Sequence, residues 1–83
     1  MAYRMTQHAA DVASRRGIQS DWIERTLDAP GRIEPDRRDP ALVHHVRQIE
    51  EFGGRALRVV FDPTVLPVRV VTVYFDRSVK DPL

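Results

Sequence analysis

The chain has 83 residues, of which 42% are hydrophobic and 30% charged, and its formal net charge at pH 7 is +1. This composition is typical of one small globular domain and excludes a disordered chain. Because there is no cysteine, disulfides and thiolate metal ligands are excluded. No apolar run is long enough to span a bilayer, and the first residues lack the apolar stretch of a signal peptide. We therefore expect a cytoplasmic protein without a membrane partner.

The first part of the chain carries two helical patterns. The segment TQHAADVASRRG begins with Thr6, which can cap a helix, and ends on Gly17, which suits a left-handed stop. The segment SDWIERTLDA follows, with Trp22, Ile23 and Leu27 on one apolar face, and a Pro-Gly pair ends it. Since the connection between the two segments is short, the pattern predicts a helical hairpin.

The period then changes to that of strands. Pro35 limits the segment RIEPD to an edge strand or an extended approach segment. The segments LVHHVRQI, RALRVVFD and VRVVTVYFD follow as longer strands. Before the first helix, Tyr3 to Met5 is too short to count as a strand. The sequence predicts a two-layer α+β domain, with an N-terminal helical hairpin on a three- or four-stranded antiparallel sheet in ααβ(β)ββ order. We expect one domain over residues 1–83, with a core at 6–77 and tails at 1–5 and 78–83.

Side-chain alternation divides the last two strands between two faces. It places Leu57, Val59 and Phe61 under the helices, and Arg58 on the opposite face. In the last strand it predicts one set of Val71, Val73 and Phe75, and an opposite set of Val68, Val70, Thr72 and Tyr74. Arg58, Thr72 and Tyr74 then share a half-polar face. Such a face fits a ligand or nucleic-acid surface, but it equally fits ordinary solvated residues.

Three histidines are candidates for proton transfer. His44 and His45 are adjacent in a strand, so their side chains point to opposite faces and at most one can join Arg58. The sequence alone leaves open which one does. His8 lies at the boundary of the first helix's apolar stripe, where it is either a structural residue or a general acid or base. Asp36 with His8 and a strand histidine lacks the spacing of a metal site, so we expect no metal and no cofactor.

The order of several motifs resembles a known family. The segments TQHAADVASRRGI, DWIERTLDAPGRIEPDRRDP, HHVRQIEEFGGRALRVVFD and RVVTVYFDR together resemble the bacterial domain-of-unknown-function family 4258, over residues 6–77. That family implies no established activity. The resemblance favours His44 over His45, because His44 begins an H-x-V-R-x-I stretch.

The layout of a helical hairpin followed by a meander is also similar to the RelE/ParE and BrnT toxins of bacterial toxin–antitoxin pairs. Toxins of that type are metal-independent ribonucleases with arginine, histidine or tyrosine on the open sheet face. The resemblance implies such roles for Arg58 and Tyr74, with His8 or His44 as the proton-transfer group. The chain departs from RelE in lacking a clear strand before the first helix and a strongly basic surface.

Two hypotheses of function follow. The first is a toxin-like ribonuclease whose partners are RNA and a cognate antitoxin protein. Its catalytic candidates are His8, His44, Arg58 and Tyr74. Its substrate-binding candidates are Asp36, Arg47 and Thr72. Arg47 is included on condition that it shares the face of Arg58. The second is a non-catalytic protein-interaction module or a homodimer, in which the same sheet face or an exposed strand edge forms the interface.

Overall fold

Two helices pack on one face of a five-stranded sheet in the computed structural model, which describes residues 1–79. The elements are β1 (Tyr3–Met5), α1 (Gln7–Arg16), α2 (Ser20–Asp28), β2 (Arg32–Pro35), β3 (Val43–Ile49), a 3₁₀ turn (Glu50–Phe52), β4 (Arg55–Asp62) and β5 (Val68–Phe75). The predicted α+β class with helices on a sheet is confirmed. Residues 80–83 of the expected C-terminal tail lie outside the described residues.

The strand before the first helix changes the predicted sheet. The strand order is β1-β5-β4-β3-β2, with antiparallel pairs from β2 to β5 and a parallel pair between β1 and β5. The sheet is therefore mixed and has five strands, whereas we expected three or four antiparallel ones. The expectation of no strand at Tyr3–Met5, and of a tail at 1–5, is wrong. Three residues are too few to show alternation, so this strand follows from its pairing with Val68–Val70 rather than from its own sequence.

The helices follow the sequence signals closely. The Oγ1 atom of Thr6 accepts a hydrogen bond from the backbone N–H of Ala9 at 3.1 Å, and Gly17 ends α1 with a φ of 66°. Helix α1 contacts β5 and β1, while α2 contacts β4 and β3. The helices have 10 and 9 residues, and none in the described part of the chain is long and apolar enough to cross a membrane. The core under them includes Trp22, Ile23, Leu27, Leu57, Val59 and Phe61.

A β-bulge in β5 changes which residues face the helices. Phe61 pairs with Val70 and Val60 pairs with Thr72, so Val71 is an extra residue in the ladder. As a result Val68 and Val70 join Val73 in the helix-side core, and the predicted split of that strand is wrong. Beyond the bulge the predicted register returns, because Tyr74 pairs with Arg58 on the face away from the helices.

Candidate functional site

A cavity of about 360 Å³ lies on the face of the sheet away from the helices. Every strand from β2 to β5 or its adjoining loop contributes to it, and its polar lining includes Glu34, Asp36, His44, Arg58, Tyr74 and Asp76. We call this group the Arg58 cavity. A larger cavity of about 800 Å³ lies between α1 and the 3₁₀ turn, beside Phe52, Arg55 and Phe75. No histidine is among the described residues that line the larger cavity, whereas His44 lines the Arg58 cavity.

Arg58 is buried on the sheet face and held by two carboxylates. It is 8% exposed, its Nε donates to Asp76 Oδ2 at 2.9 Å, and its Nη1 donates to Glu34 Oε1 at 2.7 Å. Since β3 lies between β4 and β2, the guanidinium extends across β3, next to the fully buried Val46. Burial by itself lowers the pKa of Arg58, but the hydrogen bonds to Glu34 and Asp76 outweigh burial and raise it. Arg58 is therefore a fixed cation.

His44 connects Arg58 to a third carboxylate. Its Nδ1 is 3.0 Å from Arg58 Nη1, and its Nε2 is 2.7 Å from Asp36 Oδ1. A guanidinium can only donate hydrogen bonds, so Nδ1 must accept, and the proton must lie on Nε2, which donates to Asp36. The contacts therefore define a neutral imidazole whose Nδ1 lone pair points at Arg58.

Asp36 is fixed from two directions. Besides the bond from His44, its Oδ2 accepts the backbone N–H groups of Arg38 at 3.1 Å and Asp39 at 2.9 Å. The His44 hydrogen bond, followed by these backbone bonds, lowers the pKa of Asp36 to about 2. Asp36 is thus ionised at neutral pH, and the loop after β2 keeps it in place against His44.

The Arg58 cavity balances its charges internally. Three carboxylates and three guanidinium groups line it, from Glu34, Asp36, Asp76, Arg37, Arg38 and Arg58. Hydrogen bonding from Arg58 lowers the pKa of Glu34, and hydrogen bonding from Ser78, with a smaller part from Arg58, lowers that of Asp76. Within residues 1–79, no three His, Cys, Asp or Glu side chains are arranged to hold a metal ion.

Tyr74 supplies a protonated hydroxyl beside Arg58. It is the cross-strand partner of Arg58 and is 40% exposed at the cavity. Burial raises the pKa of its phenol, against the opposing effect of Arg58. The phenol therefore keeps its proton at neutral pH and is available as a hydrogen-bond donor or general acid.

His45 lies on the helix side, as the alternation requires, and the predicted separation of the two histidines is confirmed. It is 8% exposed, its Nδ1–H donates to the carbonyl of Leu27 at 3.1 Å, and its ring meets Phe61 edge-on at 4.7 Å. Burial lowers the pKa of His45. These contacts explain His45 as a structural residue that ties α2 to β3.

The other three sequence candidates lie outside the Arg58 cavity. Arg47 shares the face of His45, and its Nη1 donates to the carbonyl of Ala29 at 2.6 Å, at the end of α2. Arg47 is a candidate only if it shares the face of Arg58, and this condition is not met, since residues 45 and 47 of one strand point the same way. His8 is exposed, and its Nε2 is 3.4 Å from Thr72 Oγ1. Neither His8 nor Thr72 lines the cavity.

Sequence reasoning missed Glu34 and Asp76. Both carry a usable signal, because an arginine inside an apolar strand pattern needs carboxylate partners if it is buried. Asp76 directly follows the last strand, and Glu34 pairs in register with His44 on the neighbouring strand. The two arginines of the loop after β2, Arg37 and Arg38, also line the cavity, and the polar segment that contains them has no periodic pattern that would place them there.

Comparison with known proteins gives a family and no activity. The family model described as Domain of unknown function (DUF4258) matches residues 5–75. The match spans the cavity residues from Glu34 to Tyr74. No curated protein matches the chain, and no solved structure matches it. The likeness to the RelE/ParE and BrnT toxins stays a prediction.

Proposed function

This chain belongs to the family described as Domain of unknown function (DUF4258), and for it we propose metal-independent, toxin-like cleavage of RNA at the Arg58 cavity. The observation that carries the proposal is the continuous hydrogen-bond chain from Asp36 through His44 to Arg58, at 2.7 and 3.0 Å. It joins an oriented imidazole to a fixed cation within one cavity. Arg37 and Arg38 at the same cavity add positive charge for neighbouring phosphates.

The cavity holds a group for each requirement of the reaction. Cleavage without metal needs a base for the ribose 2′-OH, a cation for the developing phosphorane charge and an acid for the leaving 5′-oxygen. His44 Nδ1 takes the 2′-OH proton, and Asp36 stabilises the imidazolium that forms. Arg58 holds the phosphate oxygens, and the protonated phenol of Tyr74 protonates the 5′-oxygen.

The steps balance without a co-reactant. The O2′–P bond forms as the P–O5′ bond breaks, which gives a 2′,3′-cyclic phosphate and a free 5′-hydroxyl. Arg58 Nη1 must turn from His44 to the phosphate, because only then is the Nδ1 lone pair free for the 2′-OH proton. After product release, water takes the proton from the His44 imidazolium and returns one to the Tyr74 phenolate.

The test compares a labelled RNA oligonucleotide with its all-deoxy counterpart, both incubated with purified protein and a chelator. We expect cleavage of the RNA alone, with a 2′,3′-cyclic phosphate end. Arg58→Lys keeps the charge but loses the fork of donors, so it should slow cleavage by about 100-fold. Arg55→Lys on the same strand is the matched control, since Arg55 lies over the Phe52 ring outside the cavity. No cleavage by the wild type, or equal rates for the two variants, contradicts the proposal.

A second candidate function is a non-catalytic interaction module or homodimer. It is supported by large apolar side chains at the surface, Ile33 at 63% exposure and Tyr74 at 40%. Ile33 lies on β2, which ends the strand order of the sheet and can pair with a partner strand. Size exclusion with light scattering tests it: Ile33→Thr should convert a form paired through the β2 edge to monomer, and Tyr74→Glu should do so for a form paired through the sheet face of Arg58. A wild type that is monomeric at high concentration contradicts the homodimer.

A further inference from the structure

The two carboxylates on Arg58 are held very differently. The Asp76 side chain is 16% exposed, and its Oδ1 accepts from both the backbone N–H and the hydroxyl of Ser78, at 2.9 and 2.6 Å. The Glu34 side chain is 38% exposed and lies on the last strand of the order, β2. Asp76 is therefore the anchor of Arg58 at Nε, while Glu34 is the partner that solvent can reach at Nη1.

Glu34 also has a second cation within reach. Its Oε2 is 3.6 Å from Arg32 Nη1, and the two residues are two positions apart on β2, so they share a face. A Glu34 carboxylate that leaves Arg58 keeps an ionic partner in Arg32. The move needs a side-chain rotation and leaves the strand pairing unchanged.

One nitrogen of Arg58 serves both Glu34 and the candidate base. Nη1 donates to Glu34 Oε1 at 2.7 Å and is 3.0 Å from His44 Nδ1. A guanidinium Nη carries two hydrogens, so these two contacts use both. A phosphodiester oxygen that binds Nη1 must therefore replace one of these contacts, and the Glu34 side chain is more exposed than that of His44, at 38% against 15%.

We propose that Glu34 is a displaceable internal ligand of Arg58, which occupies the position of a phosphodiester oxyanion until substrate binds. Displacement moves Glu34 toward Arg32 and brings the phosphodiester beside the Nδ1 atom of His44. The ligand class is a phosphodiester of a single-stranded nucleic acid, an identity that rests on the proposed function. Glu34 is thus a positioning residue that sets the affinity of the site for phosphate.

The formal charges of the cavity indicate how removing the charge of Glu34 should change the affinity for a phosphodiester. The cavity carries three carboxylates and three guanidinium groups, so Glu34→Gln changes its formal sum from zero to one positive charge. The amide keeps the size of the side chain but no longer competes as an anion. The variant should bind a phosphodiester about five-fold more tightly, as expected when a partly exposed competing ion pair is removed.

The experiment measures binding of a fluorescent single-stranded oligodeoxynucleotide, which has no 2′-OH and cannot be cleaved by the proposed route. Wild type, Glu34→Gln and Glu50→Gln are titrated in parallel. Glu50 is exposed and outside both cavities, so its variant controls for the change of net charge. We expect about five-fold tighter binding for Glu34→Gln and less than about two-fold for Glu50→Gln. Equal effects of the two variants, weaker binding by Glu34→Gln, or no binding by either overturns the proposal.

A second measurement uses only the wild type, so that a folding defect of a variant cannot affect it. The side-chain carboxyl carbon of Glu34 should shift in the NMR spectrum as the oligodeoxynucleotide is added, and that of Glu50 should not. An unmoved Glu34 signal at saturation overturns the proposal. If these results appear while the wild type cleaves no RNA, the ribonuclease proposal fails and the role of Glu34 at a phosphodiester site stands.

Discussion

The two faces of the sheet use neighbouring histidines in opposite ways. His45, under the helices, carries its proton on Nδ1 and donates to a main-chain carbonyl. His44, one residue earlier, carries its proton on Nε2 and accepts from Arg58 with Nδ1. Residue type alone therefore says little about role. The strand alternation decides which imidazole is a structural tie and which has a lone pair directed into a charged cavity.

Both faces of the sheet contain fully buried side chains, but only one face is covered by the helices. Leu57 and Val59 are fully buried under the helices, and Val46 is fully buried on the other face. On that other face the neighbouring groups include the guanidinium of Arg58 and its carboxylate partners. A buried charge is tolerated only when it is paired, so the Arg58 network should be lost as a unit when its central cation is removed.

The largest expected effect breaks that network at its centre. Arg58→Met keeps the length of the side chain but leaves Glu34 and Asp76 without their cation, so it should lower the free energy of unfolding by about 3 kcal/mol. Arg55→Met, on the same strand at an exposed position, should cost less than about 0.5 kcal/mol. Urea unfolding measures both. Equal losses would mean that the charged face is not held by Arg58.

The second-largest expected effect is a pH dependence of stability that comes from His45, on the helix side of the sheet. Burial lowers the pKa of His45 from its ordinary value of 6.5. The unfolded chain therefore binds a proton that the folded chain does not, and stability is complete above pH 6.5 and falls as the pH drops through that value. The slope from this one group is at most about 1.4 kcal/mol per pH unit, and it levels off below the folded pKa.

Urea unfolding at several pH values tests this slope with a matched pair of variants. His45→Gln should remove the contribution of this group, whereas His8→Gln, at an exposed helix position, should keep it. A slope that persists in His45→Gln would contradict the assignment of the pH dependence to His45.

The smallest expected effect is a change in the pKa of Asp36 in the cavity. Its pKa is lowered to about 2 by the bond from His44 and by two backbone N–H groups. Its stabilising contacts are therefore complete above its ordinary pKa of 3.8 and are lost as the pH falls toward 2. His44→Gln should move the pKa of Asp36 back toward 3.8. Titration of the side-chain carboxyl carbon by NMR measures this, and a wild-type midpoint near 3.8 would contradict the contact.

The sequence was sufficient for the features that depend on local pattern. Alternation separated His44 from His45 and paired the faces of Arg58 and Tyr74, and the Thr6 cap and Gly17 stop defined α1. These features follow from neighbouring residues, whose periodicity is visible along the chain.

The features that the sequence missed depend on contacts between distant segments. Strand β1 is too short to carry a pattern and forms because β5 offers it an edge. The extra residue at Val71 reverses the alternation within a uniform run of β-branched residues, where nothing in the pattern marks it. Glu34 reaches Arg58 across an intervening strand, so their pairing depends on strand order, which the sequence predicted only in part.

We propose that the face of the sheet with the Arg58 cavity is the catalytic one and that His44 is its base. Rates of RNA cleavage under chelation by His44→Gln and His8→Gln test it most directly, because both remove one imidazole and only His44 lines the cavity. We expect His44→Gln to slow cleavage by at least about 100-fold, and His8→Gln to stay within about two-fold of the wild type. Cleavage by His44→Gln at the wild-type rate, or a comparable loss in His8→Gln, would contradict it.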